Sequence, residues 1–525
     1  MGLVVNPILR GMNPDPSVCS DGNSYYIATS TFEWYPGIKL YRSEDLANWR
    51  LVSRPLTQKQ IDLVGVPDSA GIWAPGLRYI DGQFWLTYSV MYQIDGVYKD
   101  LRNYVVTATH VEDEWSEPIY LGSQGFDPSL FKDDDGAFYV LSQNWDYRQT
   151  YTHQAFNGIL LQQYDPKARQ LVGEPKVIFH GSAQGGTEGP SLIKRGDYYY
   201  LFVAEGGSGR HHVVTVARSM SVTGPYQLAP QVNLVTAYNS PDQPLQKAGH
   251  GNLVTGPDKQ DYLVHLTSRY LPGTALSVLG RETAIEPVTW ENGWPKLLGE
   301  SNAPQRVVTS LPVNPLPTHY QTDFSKGLDN GWSMLRKPVA CAFEKGLKLY
   351  GDESLSSKFS QSLITRPWPA FSLTTETSFD FEPNTFRDQA GLVLYYNTRN
   401  WVFLYVSEDE ISHRRIVNLQ VNHHGKITEP STGLYGYLPA TGTVGLKFII
   451  NQARVRAAYQ ANGIWHPFGR DVDASFLSDE GVDGWGFAGA TVGLTVQDTD
   501  RKTNSAVFHQ FTMDWQDEMM EDSYE

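Results

Sequence analysis

Residues 21–31 read DGNSYYIATST, a turn-forming Asp-Gly pair followed by a run of aromatic, β-branched and small residues. A turn followed by such a run is typical of a β-strand in a hairpin. The pattern recurs as DGQFWLTYS at 81–89, DGAFYVLSQ at 135–143, GDYYYLFVAEG at 196–206 and DYLVHLTS at 261–268. The repeats start about 55 to 65 residues apart, which is the length of a four-stranded antiparallel sheet with its turns. Residues 1–300 are therefore predicted to form a five-bladed β-propeller.

A second short strand precedes each of these runs and is predicted to pair with it in a hairpin. The upstream segments are NPDPSVC from 13, WAPGLRYI from 73, FDPSLFKD from 126, TEGPSLIKR from 187 and GHGNLVTG from 249. Aligning them on the following strand gives one equivalent position per blade, occupied by Asp15, Ala74, Asp127, Glu188 and His250. The expected buried partners are Val18, Leu77, Leu130, Leu192 and Leu253. Because the blades surround a central axis, the five equivalent positions should form a ring at one end of that axis.

Three of the five ring residues are carboxylic acids: Asp15, Asp127 and Glu188. An Asp before a Pro is, taken singly, most simply a turn residue, and a Glu among glycines is most simply a solvated loop residue. Three carboxylates gathered away from water repel one another and cost free energy unless a site uses them. The repeat therefore predicts a functional site at the propeller axis.

One residue of the ring and one beside it need separate interpretation. His250 is either a hydrogen-bonded core histidine or a partner for water or a metal, since a single His does not specify a metal. Trp73 immediately precedes the ring residue Ala74 and is expected at the pocket wall. The signatures GxSxG, HExxH, the Walker loop and GxGxxG before a helix are all absent, which disfavours serine esterases, zinc proteases, nucleotide hydrolases and dinucleotide enzymes.

The second half of the chain has a different composition. Residues 301–321 are rich in Pro, Ser, Asn and Val without a period and are expected to be a linker. From Thr322 onward, runs such as AGLVLYYN, WVFLYV, VGLKFII and ATVGLTV show strand propensity and alternate with Gly, Asn and Asp turns. Residues 322–525 are therefore predicted to form a β-sandwich, which makes the whole protein all-β.

The bulk composition limits the partners and the compartment. The net charge of −15 disfavours nucleic acid and anionic membranes, and no run approaches a membrane-spanning length. The first residues lack a charged leader before an apolar segment, and the only two cysteines, Cys19 and Cys341, are far apart. These features predict a cytoplasmic protein with a neutral substrate. They leave open a homo-oligomer, either a dimer or a tetramer.

The motifs NPDPS, GIWAPGL, GFDPSLF, GTEGPSL, KAGHGNL and LGRETAI together resemble glycoside hydrolase family 43, and specifically its two-domain β-xylosidases. The resemblance covers essentially the whole chain, because the second half is similar to the concanavalin-like, jelly-roll domain of those enzymes. It implies that Asp15 is the general base, Glu188 the general acid, and Asp127 the residue that orients Glu188 and raises its pKa.

The resemblance also implies a set of substrate-binding residues. Arg281, in LGRETAI, would contact sugar hydroxyls, while Phe32, Trp73 and Ala74 would shape the pocket with His250 nearby. Trp145 would lie on the leaving-group side. The sandwich of such enzymes supplies an aromatic residue to the active-site rim, and the matching stretch GWGFAGATVGL offers Phe487. No cofactor is required, but a calcium ion near His250 and the propeller axis stays open, since some relatives hold one and others do not.

The expected activity is an exo-acting, inverting xylan 1,4-β-xylosidase that releases D-xylose from the non-reducing end of β-1,4-xylooligosaccharides. The alternative within catalysis is an α-L-arabinofuranosidase, as the main or a side activity. A fructan hydrolase is disfavoured, because such enzymes resemble a motif set built on NDPNG. A noncatalytic carbohydrate-binding propeller is the alternative from another class, and the intact acids Asp15, Asp127 and Glu188 argue against it.

Overall fold

The computed structural model describes residues 3–148, 155–299, 301–314, 316–431 and 435–516. All regular structure within these ranges is β-strand, as predicted. The chain divides into two compact units. The propeller unit comprises Met1–Ile61, Ala70–Arg269 and Arg281–Pro315, and the sandwich unit comprises Asp62–Ser69, Tyr270–Gly280 and Leu316–Glu525. None of the described ranges contains a helix long and apolar enough to cross a membrane.

The propeller unit contains five four-stranded antiparallel sheets, which confirms the five blades predicted from the repeats. Each repeated aromatic run forms the second strand of its blade. The first strands of successive blades contact one another in a closed ring. The strands are Ser17–Ser20, Tyr25–Thr29, Lys39–Ser43 and Arg50–Ser53 in blade 1; Gly71–Ile80, Gln83–Gln93, Asp100–Ala108 and Ile119–Tyr120 in blade 2; Ser129–Lys132, Phe138–Trp145, Phe156–Asp165 and Gln170–Phe179 in blade 3; Glu188–Arg195, Tyr198–Glu205, Val213–Ser219 and Gln227–Thr236 in blade 4; and Gln246–Thr255, Asp261–Ser268, Glu282–Glu291 and Trp294–Leu297 in blade 5. A two-residue strand, Trp34–Tyr35, follows the second strand of blade 1.

Hydrophobic side chains between neighbouring blades hold the ring together. Leu141 of blade 3 and Leu201 of blade 4 are fully buried in one such layer, and Phe202 and Leu263 join blades 4 and 5 in another. Burying a side chain of this size contributes about 1.5–3 kcal/mol. Blades 2 and 3 approach so closely at Gly76 that a Cβ there would lie 2.7 Å from the Pro128 carbonyl oxygen. Backbone contact at the axis therefore requires glycine at this position.

The ring is closed by the N-terminal segment. Val4–Val5 pairs antiparallel with Val307–Val308, and Leu9 exchanges two backbone hydrogen bonds with Thr283 of blade 5. The Asn6 side chain accepts a hydrogen bond from Ile285 N and donates one to the Ile285 carbonyl. The segment expected to be a linker thus contains a strand that joins the two ends of the propeller.

The sandwich unit consists of two antiparallel sheets, as predicted from the strand-forming runs. One sheet has the order Cys341–Phe343, Leu347–Tyr350, Ser505–Gln516, Ser372–Asp380, Val444–Asn451, Arg454–Ala461 and Ile464–Asp473, with His319–Thr322 also paired to Ser505–Gln516. The other has the order Lys426–Thr428, Arg414–His423, Asn400–Asp409, Asp388–Asn397, Thr491–Asp498, Leu363–Pro367 and Ser333–Leu335, with Gly436–Tyr437 also paired to Arg414–His423. Alternate residues of Ser372–Asp380 are buried, which is the pattern of a strand with one face on a core.

Two short segments from the first 300 residues belong to the sandwich unit, which the sequence analysis did not anticipate. Arg336 binds residues 62–69 by donating to the Val66 carbonyl oxygen at 2.7 Å and to Asp68 at 2.7 Å. Glu480 binds residues 270–280 by accepting hydrogen bonds from Ser277 N at 2.8 Å and from the Ser277 hydroxyl at 2.9 Å. Both contacts join residues that are distant in sequence, so no local sequence pattern predicts them.

Candidate active site

Three ring residues share an unusual backbone conformation at the start of their blades. Asp15 has φ 53°, Asp127 has φ 56° and His250 has φ 46°. Residues other than glycine rarely occupy this left-handed region, and a chain that keeps them there is often shaped for function. The structure therefore supports the predicted equivalence of these three positions on blades 1, 3 and 5.

The register corrects the predicted position of Glu188. Ser129 pairs with Leu141 and Ser191 with Phe202, so Gly189 is the residue of blade 4 that corresponds to Asp127. Gly189 also has a positive φ of 56°. Glu188 lies one residue earlier in its strand, at the position that Trp73 occupies in blade 2, since both strands carry the same register shift. The ring alignment was therefore wrong by one position in blade 4.

The predicted buried partners need one further correction. Val18, Leu77, Leu130 and Leu192 are fully buried, as expected. Leu253 is only partly buried and packs at the edge of a hydrophobic cluster. Its strand carries a register shift between Gly249 and Gly251, which interrupts the regular pairing just before it.

Asp15 is held in its ionised form. Its carboxylate accepts hydrogen bonds from Arg281 Nη1 at 3.1 Å and from the Ser30 hydroxyl at 2.7 Å, and His250 Nδ1 lies 3.8 Å away. Burial alone would raise the pKa of Asp15, but Arg281, His250 and Ser30 together outweigh it and hold that pKa below the ordinary value. Asp15 therefore carries a negative charge inside the site.

The pKa values of Asp127 and Glu188 are raised, whereas that of Asp15 is lowered. The Asp127 carboxylate accepts a hydrogen bond from Gly189 N at 3.0 Å and so holds the turn that carries Glu188. Burial, Glu188 and Asp15 raise the pKa of Asp127 well above its usual range. Glu188 is partly accessible from the pocket, yet enclosure by protein and the charge of Asp15 raise its pKa to about 8. The two groups titrate as a coupled pair that holds a proton at neutral pH.

These shifts predict a bell-shaped pH dependence of kcat/KM. The rising limb should lie below about pH 4, because Asp15 must lose its proton and its pKa is held below the ordinary value. The falling limb should lie above neutrality, where the Asp127–Glu188 pair loses its proton. In Asp127→Asn the falling limb should move to lower pH, because Asp127 then no longer opposes ionisation of Glu188 and only the charge of Asp15 does. An unchanged falling limb in this variant would show that Asp127 does not control the acid.

The other propeller residues predicted to bind substrate lie around these acids or beside them. The Arg281 guanidinium lies 5.3 Å from the centre of the Phe32 ring, and Phe32 exchanges two backbone hydrogen bonds with Ile72, next to Trp73. A small cavity at the axis is lined by residues of all five blades. Its lining includes Ser17, Ala74, Asp127, Gly189 and His250. The five first strands thus converge as predicted.

Trp145 is connected to this site through aromatic contacts. Trp73 packs against Phe126 at 5.1 Å between ring centres, and Phe126 lies 6.2 Å from Trp145. Trp145 also lines a second cavity, of about 700 Å³, together with Tyr92, Tyr98 and Tyr147. Its predicted place on the leaving-group side stays a prediction.

Phe487 belongs to the sandwich unit. It is partly buried, and its ring centre lies 5.5 Å from that of Trp485. Its predicted role at the active-site rim stays a prediction.

The calcium ion that could lie near His250 stays a prediction. Calcium takes six to eight oxygen ligands. Among the described residues, no group of three or more His, Cys, Asp or Glu side chains is arranged to hold a metal ion. The His250 ring instead packs against Gly189, where an added Cβ would lie 2.8 Å from Cε1.

Several residues around the acids were missed by the sequence analysis. Ser30 directly follows the second strand of blade 1 and donates a hydrogen bond to Asp15, a role that its repeat position could have suggested. His212 is buried beside the site, and burial, His250 and Arg281 lower its pKa to about 3. Its sequence context, AEGGSGRHH, offered no signal apart from glycine content.

The chain matches two family models. Residues 4–295 match glycosyl hydrolases family 43, and residues 321–514 match the beta xylosidase C-terminal concanavalin A-like domain. A beta-xylosidase of Bacillus subtilis is 39% identical over 97% of this chain and 99% of its own length. Xylosidase/arabinosidase 43B of Humicola insolens is 42% identical over 97% of both chains. The crystal structure of a xylan beta-1,4-xylosidase from Bacillus halodurans matches with a TM-score of 0.93 at 40% identity, over 97% of this chain and 100% of that one.

Proposed function

The chain belongs to glycosyl hydrolase family 43 and is a glycosidase, and from this premise we propose that it releases D-xylose from the non-reducing end of β-1,4-xylooligosaccharides with inversion of configuration. One observation carries the mechanism: a carboxylate with a lowered pKa, Asp15, shares its site with a carboxylic acid of raised pKa, Glu188. Glycoside hydrolysis needs such a pair in opposite protonation states.

In the proposed reaction, Asp15 accepts a proton from a water molecule as that water attacks the anomeric carbon. Glu188 donates its proton to the glycosidic oxygen, so that the leaving sugar departs as a neutral alcohol. Inversion requires a gap of about 6.5 to 9.5 Å between the two carboxyl groups to accommodate the water. The placement of these acids on blades 1 and 4 of a five-bladed ring supports such a gap.

Arg281 has two roles in this scheme. Its Nη1 donates to Asp15 and keeps that base ionised. Its planar guanidinium carries further N–H donors, which can bind sugar hydroxyls and fix the ring relative to the attacking water. Binding energy at the sugar is thereby used to orient the reacting atoms.

Arabinofuranoside hydrolysis is the second candidate activity. It is favoured by the similarity to a relative named xylosidase/arabinosidase, which matches along almost its whole length. The two activities are separated by comparing kcat/KM for 4-nitrophenyl β-D-xylopyranoside and 4-nitrophenyl α-L-arabinofuranoside. A higher value for the xyloside supports the proposal, and a higher value for the arabinofuranoside makes arabinose release the main activity.

Exo-cleavage predicts a defined product pattern from xylohexaose. An exo-acting enzyme needs a pocket that accepts one terminal sugar and does not thread a long chain. The first products should therefore be xylose and xylopentaose in equal amounts, followed by progressively shorter oligomers, as measured by chromatography at early time points. Xylotriose as a dominant initial product would instead require an open groove and internal cleavage.

A further inference from the structure

The loop that leads to Glu188 is closely packed. Residues 181–187 run from blade 3 to the first strand of blade 4. At Gly181, which has φ 92°, an added Cβ would lie 2.0 Å from the Thr187 hydroxyl oxygen. The two ends of the loop therefore touch, and the loop folds back on itself immediately before the acid.

A single buried carboxylate holds both ends of this loop. Glu205 ends the second strand of blade 4 and is fully buried. Its Oε1 accepts hydrogen bonds from Ser182 N at 2.7 Å and from the Thr187 hydroxyl at 2.7 Å. Its Oε2 accepts one from the Ser182 hydroxyl at 2.5 Å. Hydrogen bonds to a buried ionised group are among the stronger ones in proteins.

The strand that carries Glu205 also pairs with the acid itself. Ala204, the residue before Glu205, is the backbone partner of Glu188. Beyond Glu205, Gly206 N donates to the Gly185 carbonyl oxygen at 2.8 Å. Glu188 is thus held in two ways. Its backbone pairs with Ala204 near the end of this strand, and the preceding residue, Thr187, donates a hydrogen bond to Glu205.

We propose that Glu205 is a positioning residue for the general acid. Its carboxylate fixes Thr187 and Ser182, and thereby holds Glu188 in the position from which it can reach the glycosidic oxygen. This inference rests on the proposed function, because it requires Glu188 to be the proton donor. A carboxylate that served only folding would affect every substrate alike. A carboxylate that positions the acid affects chiefly the substrates that need a proton.

The test compares xylobiose with an activated aryl β-xyloside in four variants. Glu205→Ala removes both acceptor oxygens and so all three hydrogen bonds, Glu205→Gln keeps one carbonyl oxygen for Ser182 N and Thr187, and Thr187→Val removes one hydroxyl without changing the side-chain shape. Glu286→Gln is the matched control. Glu286 is equally buried and accepts a backbone hydrogen bond from Gln305 N at 2.7 Å, but it holds a segment after blade 5.

In Glu205→Ala we expect kcat/KM for xylobiose to fall about 10-fold to 100-fold, with a loss of less than about threefold for the activated xyloside. Glu205→Gln and Thr187→Val should show the same preference with smaller losses, and Glu286→Gln should show none. Thermal unfolding measurements show whether each variant is folded. If Glu205→Ala does not fold, the result for Thr187→Val decides between a positioning role and a purely structural role of Glu205.

Equal losses on both substrates in Glu205→Ala and Thr187→Val would overturn the inference, provided that Glu188→Ala shows the preference. The proposed function would then stand without it. If Glu188→Ala shows no preference either, the assignment of the acid fails and this inference fails with it.

Discussion

Replacing Asp15 with alanine should lower kcat for xylobiose by about 10³-fold or more, while the chain remains folded. The variant loses the group that accepts a proton from the attacking water, a carboxylate that Arg281 helps to hold ionised. The rate should fall for activated and unactivated substrates alike, because both need the water to be activated. Steady-state kinetics on xylobiose and an aryl xyloside measure this directly.

The control for this prediction is Asp15→Asn. The amide keeps the size of the side chain and can still accept the hydrogen bond from Ser30, but it has little proton affinity. Both variants should therefore lose activity to a similar extent, although Asn should disturb stability less than Ala. Near-normal turnover in either folded variant would remove Asp15 from the mechanism.

Replacing Glu188 with alanine should lower kcat/KM for xylobiose by about 10²-fold to 10⁴-fold and should affect an activated aryl xyloside much less. A sugar alkoxide is a poor leaving group and needs the proton, whereas an activated phenolate departs without it. The falling limb of the pH profile should also disappear for the aryl substrate, because the group with a pKa of about 8 is gone.

Glu188→Gln provides the matched variant, because it preserves shape and hydrogen bonding while removing the transferable proton. It should show the same dependence on the leaving group as Glu188→Ala. A similar loss on both substrates, together with a retained falling limb, would contradict the role of Glu188 as the acid.

The propeller could be predicted from the sequence because its information is local and repeated. Each blade carries a turn followed by a strand-forming run, and five copies at similar spacing fix the number of blades. The alignment was wrong in blade 4 because it placed the acid Glu188 at the position of Asp127, whereas the strand pairing places Gly189 there.

The parts of the site that depend on tertiary contacts could not be predicted in the same way. Glu205 ends a repeated strand and Ser30 directly follows one, and only their contacts with the loop before Glu188 and with Asp15 identify them. Residues 62–69 and 270–280 are bound by Arg336 and Glu480 from far along the chain. The carboxylic acids themselves were identifiable because clustered acids have few purely structural explanations.

The most direct test of the central claim is to follow xylobiose hydrolysis by proton NMR from the first minutes. The account predicts that the xylose released from the non-reducing end appears first as the α-anomer and only later equilibrates with the β-anomer by mutarotation. This result requires attack by water at the face opposite the leaving group, with Asp15 as base and Glu188 as acid. Initial release of the β-anomer would mean retention of configuration, and absence of xylose release would mean that the substrate is wrong; either result would contradict the account.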